Sequence, residues 1–338
     1  MPAIDWGFGV VRATQTELEA AVAVLRAGGL VAFPTETVYG LGANAADAVA
    51  VAKIFALKGR PADHPVIVHL DHPRYLHRWV RDMPEVAQRL AARFWPGPLT
   101  LILPKAAEVN AVVTGGQDSI GIRVPSHPAA QQLLSAFGGG IAAPSANRYG
   151  HLSPTKAEHV REEFGAELAL VLDGGDSQIG LESTIVSCLG DGARLLRPGH
   201  ITRSQLIETI GALIEGGDAP RSPGDRSSHY APLTPLELVA SGDIEARVAE
   251  HIGRGEKMAV LAMRPPLHAR AQMTWINAGR KPDHYAHHLY SHLRTLDQAA
   301  CAKILVEAPP LEERWAAIND RLSRACGLGG GVREPDAR

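Results

Sequence analysis

The chain has 338 residues, of which 45% are hydrophobic and 21% charged, and its formal net charge is −2. This length favours two domains, and the near-neutral charge argues against strong nonspecific binding to nucleic acid, which needs a basic surface. The 3 cysteines are too few and too widely separated for a disulfide framework, and we find neither a signal peptide nor an apolar run of membrane-spanning length, so we expect a cytoplasmic protein.

The first predicted elements are a helix and a buried strand. Thr16 and Glu19 have the spacing of a capping box, which predicts a helix that ends near Ala27. Leu30–Phe33 predicts a strand, and Pro34 should end it because proline cannot donate a hydrogen bond to a sheet.

The loop from Pro34 to Gly42 is the strongest candidate for a binding site. It has three side-chain hydroxyls, one carboxylate and two glycines, and it precedes a helix predicted from about Ala45 to Leu57. Backbone N–H groups at a helix N-terminus favour an anion or a polar ligand, so we predict a ligand site here. The G-x-G-x-x-A pattern at residues 40–45 does not predict dinucleotide binding, because that fingerprint needs its first glycine directly after the strand.

Strands and helices continue to alternate in the first two thirds of the chain. Later strands are predicted at residues 66–70, 99–103, 119–124, 140–143, 169–172, 183–188 and 193–196. The alternation predicts an α/β domain over residues 1–210, with one sheet covered by helices.

The composition changes near Gly211. Glycine, proline and serine are then frequent, so residues 211–234 are predicted to form an exposed linker. Residues 235–326 predict a small Rossmann-like domain, with helices at 243–254, 283–298 and 311–325 and strands at 258–262 and 302–307. Residues 327–338 are predicted to be a disordered tail.

Several polar side chains stand at the ends of predicted elements, and each has a structural alternative. Lys58 and Arg60 either cap the preceding helix or clamp a polyphosphate. Ser145 and Asn147 form either a turn or one side of a ligand crevice. Arg123 ends an apolar strand and needs an anionic partner, which is either an internal carboxylate or a ligand.

The sequence has no pattern for metal or nucleophilic catalysis. We find no Ser–His–Asp arrangement and no P-loop. His284, His288 and His292 share one helical face, but without a carboxylate pattern or a cysteine partner they predict a solvated surface. The recurring hydroxyls and cations at strand ends are therefore the main indication of function.

Taken together, these segments resemble the L-threonylcarbamoyladenylate synthases with the YrdC-like fold, in their long two-domain form. The resemblance covers essentially the whole chain and rests on ten motifs in the family's order: Pro34–Gly42, Lys58-x-Arg60, Val66–Leu70, Trp95–Thr100, Ser119–Pro125, Pro144–Asn147, Ser153-Pro154, Glu182–Ile185, Arg197–Gly199 and His229–Pro232. It implies a twisted mixed sheet with flanking helices and a small C-terminal Rossmann-like α/β domain.

The resemblance also implies a nucleotidyltransferase reaction. L-Threonine, bicarbonate and ATP would give threonylcarbamoyl-AMP, pyrophosphate and water, with Mg²⁺ on the ATP phosphates. The product would feed modification of the adenosine beside the tRNA anticodon, which a separate transferase completes. No protein side chain is expected to bind the metal, and neither strong direct binding of nucleic acid nor membrane association is expected.

The motifs assign the site residues position by position. The resemblance implies threonine contacts from Thr35, His69, Arg123, Ser145 and Ser183. It implies ATP contacts from Lys58, Arg60, His64, Ser119, Asn147, Ser153, Arg197 and Tyr230, and catalytic roles for Lys58, Arg60, Ser145 and Asn147. Tyr230, from the linker, would close over the nucleotide as part of a lid that excludes water.

Two positions depart from the family pattern. His64 stands where the family usually has asparagine, and Ser227-Ser228 stand where its linker carries bulky or basic residues. Three other functions fit less well. The related carbamoyl-adenylate chemistry of hydrogenase maturation uses Cys-x-x-Cys pairs that are absent here, an RNA-binding module needs more positive charge, and a Rossmann oxidoreductase needs a correctly placed fingerprint.

Overall fold

The computed structural model describes residues 13–190, 192–216, 219–224 and 230–327. The predicted tail beyond Gly327 and the linker positions Ser227, Ser228 and His229 lie outside these residues. None of the described helices has both the length and the apolar character needed to cross a membrane.

Eight strands in the described part of the chain form one mixed sheet. They are β1 (Val31–Phe33), β2 (Gly40–Asn44), β3 (Ile67–His69), β4 (Leu99–Pro104), β5 (Ser119–Arg123), β6 (Ile141–Ala142), β7 (Thr184–Ser187) and β8 (Arg194–Arg197). Their order across the sheet is β1-β2-β6-β3-β5-β4-β7-β8. Strand β3 is parallel to β5 and β4 is parallel to β7, whereas the other neighbours are antiparallel. This arrangement confirms the predicted mixed sheet.

Helices of the same region pack on this sheet. They are α1 (Gln15–Arg26), α2 (Ala48–Lys58), α3 (Glu85–Phe94), α4 (Ala111–Thr114), α5 (Pro128–Phe137), α6 (Ala157–Phe164) and α7 (Arg203–Ile210). Short 3₁₀ helices occupy Pro73–Arg78 and Gly165–Glu167.

The capping box of the first helix lies two residues earlier than predicted. The Glu17 amide donates to Thr14 Oγ1 over 3.3 Å, and the Thr14 amide donates to Glu17 Oε2 over 2.8 Å. The sequence contains both this T-x-x-E spacing and the predicted one from Thr16 to Glu19, so local spacing alone does not select between them.

The polar loop does not lead directly into a helix, so that prediction is wrong. Gly40–Asn44 forms β2, which pairs antiparallel with β1, and α2 begins only at Ala48 after the N-cap Asp47. A Cβ atom at Gly42 would lie 2.8 Å from Ile141 Cγ2, so the strand needs glycine for close packing. The N-terminus of α2 is therefore separated from the loop by the length of β2.

The strand predicted at residues 169–172 is also wrong. This segment forms no strand and pairs with β1 only through a single bridge between Ala32 and Val171. The amide of Leu172 donates to the Ala32 carbonyl over 2.8 Å, and pairing goes no further along the segment.

A second sheet lies in the C-terminal part of the described chain. Its strands are β9 (Leu236–Val239), β10 (Met258–Ala262), β11 (Met273–Asn277) and β12 (Lys303–Glu307), and its helices are α8 (Ile244–Gly253), α9 (Pro282–Asp297) and α10 (Ala316–Ala325). All neighbours are parallel, in the order β11-β10-β12-β9. This confirms an α/β domain, although the strand order differs from the 3-2-1-4-5-6 order of the dinucleotide-binding fold. The sequence prediction omitted β9 and β11.

The prediction of an exposed linker is confirmed only in part. Ile214 and Leu233 are 44% and 80% exposed, whereas other described linker residues pack against the N-terminal domain. Ser222 and Tyr230 are only 5% and 4% exposed. The Ala231 amide donates to the Gly150 carbonyl over 2.9 Å, and Arg221 donates to the Gly115 carbonyl over 2.8 Å. The predicted boundaries at residues 210 and 234 stay predictions.

Candidate active site

A cavity opens where loops of the first sheet meet the linker. Eight of the residues assigned from the family motifs line it: Thr35, Arg60, His69, Arg123, Ser145, Ser183, Arg197 and Tyr230. Three of these eight are arginines, whereas Glu182 is the one carboxylate side chain among the described residues of the lining. The cavity therefore suits an anionic ligand.

The loop after β1 forms one side of the cavity through a chain of hydroxyl groups. Thr35 Oγ1 donates to the Val38 carbonyl over 2.6 Å, and it lies 2.8 Å from Thr37 Oγ1. Because Thr35 has one hydroxyl hydrogen, the hydrogen between the two threonines must come from Thr37. Thr35 therefore shapes the cavity and offers no free hydroxyl donor.

Arg123 connects the end of β5 to this loop. Its NH1 donates to Thr37 Oγ1 over 2.8 Å, and its NH2 lies 2.7 Å from Glu36 Oε1. The Glu36 carboxylate also accepts the Ser126 amide over 3.1 Å. Arg123 therefore pairs with an internal carboxylate, that of Glu36, and also lines the cavity where a ligand could bind.

His69, at the end of β3, is a neutral group in this site. Burial, followed by the charge of Arg123, lowers the pKa of His69 to about 3. Its ring meets Phe33 edge to face, with centroids 6.1 Å apart. Its Nδ1 has no hydrogen-bond partner among the described residues. A neutral imidazole beside an arginine can bind a polar ligand without adding charge.

We expect this histidine to make the protein less stable in acid. The unfolded chain takes up a proton at His69 below its ordinary pKa of 6.5, whereas the folded chain does so only near 3. Stability therefore falls as the pH drops through this window, by an amount on the order of a few kcal/mol. Urea unfolding from pH 7 to pH 4 should show a shallower slope for His69→Gln than for the wild type. The exposed His77→Gln variant should keep the wild-type slope, and equal slopes for all three proteins would contradict this assignment.

Arg197 joins three parts of the cavity on the other side. Its Nε and NH2 donate to the Ser183 carbonyl over 3.1 and 3.0 Å, and its NH1 donates to the Pro223 carbonyl over 2.9 Å. NH1 also donates to the Tyr230 hydroxyl over 3.3 Å. All these acceptors are neutral, so these hydrogen bonds do not neutralise the positive charge of Arg197.

Gly224 brings the linker close to this arginine. A Cβ atom at Gly224 would lie 2.3 Å from the Tyr230 hydroxyl, and the residue has a φ of +85°. Glycine is therefore required here for both space and backbone conformation.

Lys58 lies behind the cavity rather than on its surface. The side chain is 3% exposed, and Nζ donates to the Ser145 carbonyl over 2.6 Å and to the Asn147 carbonyl. Burial, followed by the charge of Arg60, lowers the pKa of Lys58 well below its ordinary value. Helix capping does not explain this residue, because Gly59 caps the helix with its own amide. Lys58 instead fixes the loop that carries Ser145.

Four other assigned residues also lie outside the cavity lining. His64 packs edge to face on Tyr149, and Ser119 stands at the opposite end of β5 from Arg123. Asn147 donates to the carbonyls of Arg148 and His151, as a turn residue does. Ser153 Oγ donates to Glu182 Oε1 over 2.5 Å.

The sequence interpretation assigned no role to two buried carboxylates. Glu36 and Glu182 stand inside motifs in which the resemblance assigns roles to neighbouring hydroxyl side chains. The sequence does indicate a role for Glu182, because a carboxylate between Leu181 and Ser183, beside an apolar strand, needs polar partners.

Among the described residues, no group of three or more histidine, cysteine, aspartate or glutamate side chains is arranged to hold a metal ion. The rings of His284 and His288 lie 4.3 Å apart and are tilted, and those of His288 and His292 lie 5.5 Å apart and are stacked, so the three histidines share one helical face as predicted.

Comparisons with known proteins place the chain beside one group of enzymes. Residues 23–199 match a family model described as Telomere recombination, and residues 201–327 match one described as Threonylcarbamoyl-AMP synthase, C-terminal domain. A Bacillus subtilis protein named threonylcarbamoyl-AMP synthase is 41% identical over 322 residues, which cover 92% of this chain and 93% of that protein. One of the same name from Pyrococcus abyssi is 37% identical over 330 residues, covering 94% and 96%.

A solved structure is also similar over nearly the whole length. The crystal structure of Pyrococcus abyssi Sua5 complexed with L-threonine superposes with a TM-score of 0.87 at 37% identity, covering 94% of this chain and 96% of that one.

Proposed function

This chain belongs to the threonylcarbamoyl-AMP synthase family, and we propose that it is a cytoplasmic nucleotidyltransferase that makes threonylcarbamoyl-AMP from L-threonine, bicarbonate and ATP. Pyrophosphate and water are the other products. The product then serves a separate transferase that modifies the adenosine beside the tRNA anticodon.

The convergence of Arg60, Arg123 and Arg197 on one cavity carries this proposal. Guanidinium groups match carboxylate and phosphate oxygens, and the proposed substrates bring both kinds of anion. The hydrogen bonds that Arg197 donates to the described residues go to neutral oxygens and therefore do not neutralise its charge.

We assign threonine to the part of the cavity lined by Arg123, His69 and Thr35. Arg123 faces the carboxylate, and neutral His69 accepts or donates a hydrogen bond to the amino acid. Ser145 and Ser183 complete this part. The Ser183 hydroxyl is held 2.8 Å from Thr100 Oγ1, so it is oriented before a ligand binds. A structure of a similar protein in complex with L-threonine supports this choice of substrate.

We assign the nucleotide to the side formed by Arg60, Arg197 and Tyr230. Lys58 and Asn147 act from behind, by holding the loop of Ser145, and Ser153 acts through Glu182. His64 and Ser119 are retained from the family motifs as nucleotide contacts. Tyr230 is buried and lines the cavity, which supports its proposed role as a lid residue.

The chemistry needs positioning and charge neutralisation rather than a protein nucleophile. The threonine amine and bicarbonate form a carbamate and release water. A carbamate oxygen then attacks the α-phosphorus of ATP as the bond to pyrophosphate breaks. The arginines hold the reacting anions together against their mutual repulsion.

Mg²⁺ would be held by the ATP phosphates and by water. Glu36 and Glu182 already accept hydrogen bonds or ion pairs from protein groups. This fits a metal whose ligands come from the phosphates and water rather than from protein carboxylates. Bound there, Mg²⁺ would neutralise charge on the phosphates.

Release of pyrophosphate tests the proposed reaction. The purified protein with ATP, Mg²⁺ and bicarbonate should release pyrophosphate only when L-threonine is present. Omitting bicarbonate from degassed buffer should suppress the release as well. Release that does not depend on threonine, or no release under any condition, would overturn the proposal.

A further inference from the structure

A side chain of the C-terminal domain reaches the edge of the cavity. Arg321, on α10, is 1% exposed, and its Nε donates to Glu182 Oε2 over 2.7 Å. Its NH1 donates to the Pro198 carbonyl over 3.1 Å, next to Arg197. A buried arginine of one domain thus pairs with Glu182, a carboxylate that lines the cavity of the other.

Tyr290, on α9, supplies a second contact from the same domain. Its hydroxyl lies 3.2 and 3.1 Å from the two carboxylate oxygens of Glu182. Ser153 donates to Oε1 of the same group, so donors from both domains surround Glu182. Burial by itself raises the pKa of Glu182, but the charges of Arg321 and Arg197 outweigh it, so the pKa is lowered and the group remains a carboxylate.

The same two residues also support Tyr230. The Arg321 guanidinium carbon lies 5.4 Å from the centre of the Tyr230 ring, and the Tyr290 ring lies 6.1 Å from it. Tyr230 has a φ of 62°, which is uncommon for a residue with a side chain and persists only where its surroundings hold it.

We propose that Arg321 and Tyr290 are positioning residues for the nucleotide side of the active site. They neutralise and orient Glu182, and they hold the Tyr230 ring over the cavity. Without Arg321, the charge of Glu182 would repel the phosphates of a bound nucleotide. The C-terminal domain is thereby part of the active-site architecture. This inference rests on the proposed function, because it assigns the nucleotide to this side.

Replacing Tyr290 by phenylalanine tests the inference with little change in packing. We expect the KM for ATP to rise about tenfold, as for loss of a hydrogen bond to a charged group, while kcat changes less. The matched control is Tyr285→Phe on the same helix, since the buried Tyr285 hydroxyl has no hydrogen-bond partner among the described residues. The control should leave the KM for ATP unchanged. The inference would be overturned if Tyr290→Phe had the wild-type KM for ATP, or if the KM for ATP rose equally in Tyr290→Phe and Tyr285→Phe.

Substitutions at Arg321 give a second, graded test. Arg321→Lys should raise the KM for ATP less than Arg321→Gln, because lysine keeps the charge beside Glu182. Arg314→Lys is the control, since Arg314 pairs with Asp283 on the surface of the same domain. If the Arg321 variants do not fold, Tyr290→Phe alone decides. Loss of activity that follows the loss of folded protein, with an unchanged KM for ATP, would contradict a positioning role.

Hydrogen exchange separates this inference from the proposed reaction. The Ala231 amide, which bonds to Gly150, should exchange faster in Tyr290→Phe than in Tyr285→Phe whether or not pyrophosphate is formed. Failure of the wild type to release pyrophosphate would overturn the reaction, whereas equal exchange in both variants would overturn the support of Tyr230.

Discussion

Replacing Lys58 by methionine is expected to lower kcat/KM by about 100-fold, the effect of misplacing a reacting group by roughly 1 Å. Methionine keeps most of the buried stem but removes the donor for the carbonyls of Ser145 and Asn147. Both carbonyls then lose this donor, one of them buried, so the loop that carries Ser145 should shift. The expected loss of folding free energy is about 1–3 kcal/mol. Steady-state pyrophosphate release and urea unfolding measure the two effects.

The same helix offers a matched control. Lys53 also donates to a backbone carbonyl, that of Gly28, over 2.7 Å, but it is exposed and belongs to no part of the site. Lys53→Met should therefore keep wild-type kcat/KM. If Lys58→Met, corrected for the folded fraction, also kept it, Lys58 would have a structural role only.

The sequence predicted the elements that follow from local patterns and missed those that depend on distant pairing. Buried strands such as β4 and β10 are mostly apolar runs, and both are confirmed. Strand β2, Gly-Leu-Gly-Ala-Asn, has weak strand propensity and forms because β1 and β6 pair on its two sides. Strand β11 is only partly buried, so its apolar signal is weak.

In the candidate site, too, local patterns identified some residues, whereas contacts between distant segments were missed. The motifs identified Arg123, Arg197 and Ser183, which stand at or beside the ends of strands, and all three line the cavity. They did not identify Arg321, which meets Glu182 across 139 positions of the sequence. Such a contact depends on how the two domains pack together, and no local sequence pattern in either segment predicts it.

The second large effect is expected at Arg123, where lysine should weaken threonine binding about 100-fold, through loss of a forked charge-assisted contact. Arg123 uses separate nitrogens for Gly97, Thr37 and Glu36, at 3.3, 2.8 and 2.7 Å. A lysine amine cannot span these partners and also meet a ligand carboxylate. Titration calorimetry with L-threonine, in the absence of ATP, measures this binding without the reaction. Arg161→Lys is the control, because the two terminal nitrogens of the Arg161 guanidinium donate to Asp173 on the protein surface.

A double variant separates the two partners of Arg123. Arg123→Gln leaves Glu36 as an unpaired buried charge, which should cost about 3–5 kcal/mol of stability. Adding Glu36→Gln removes that charge and should recover much of the stability, whereas threonine binding should stay lost because no cation remains for its carboxylate. If Glu36→Gln/Arg123→Gln bound threonine as tightly as the wild type, Arg123 would serve only as the partner of Glu36. If stability is recovered and threonine binding is not, the positive charge of Arg123 is needed to bind the carboxylate of threonine.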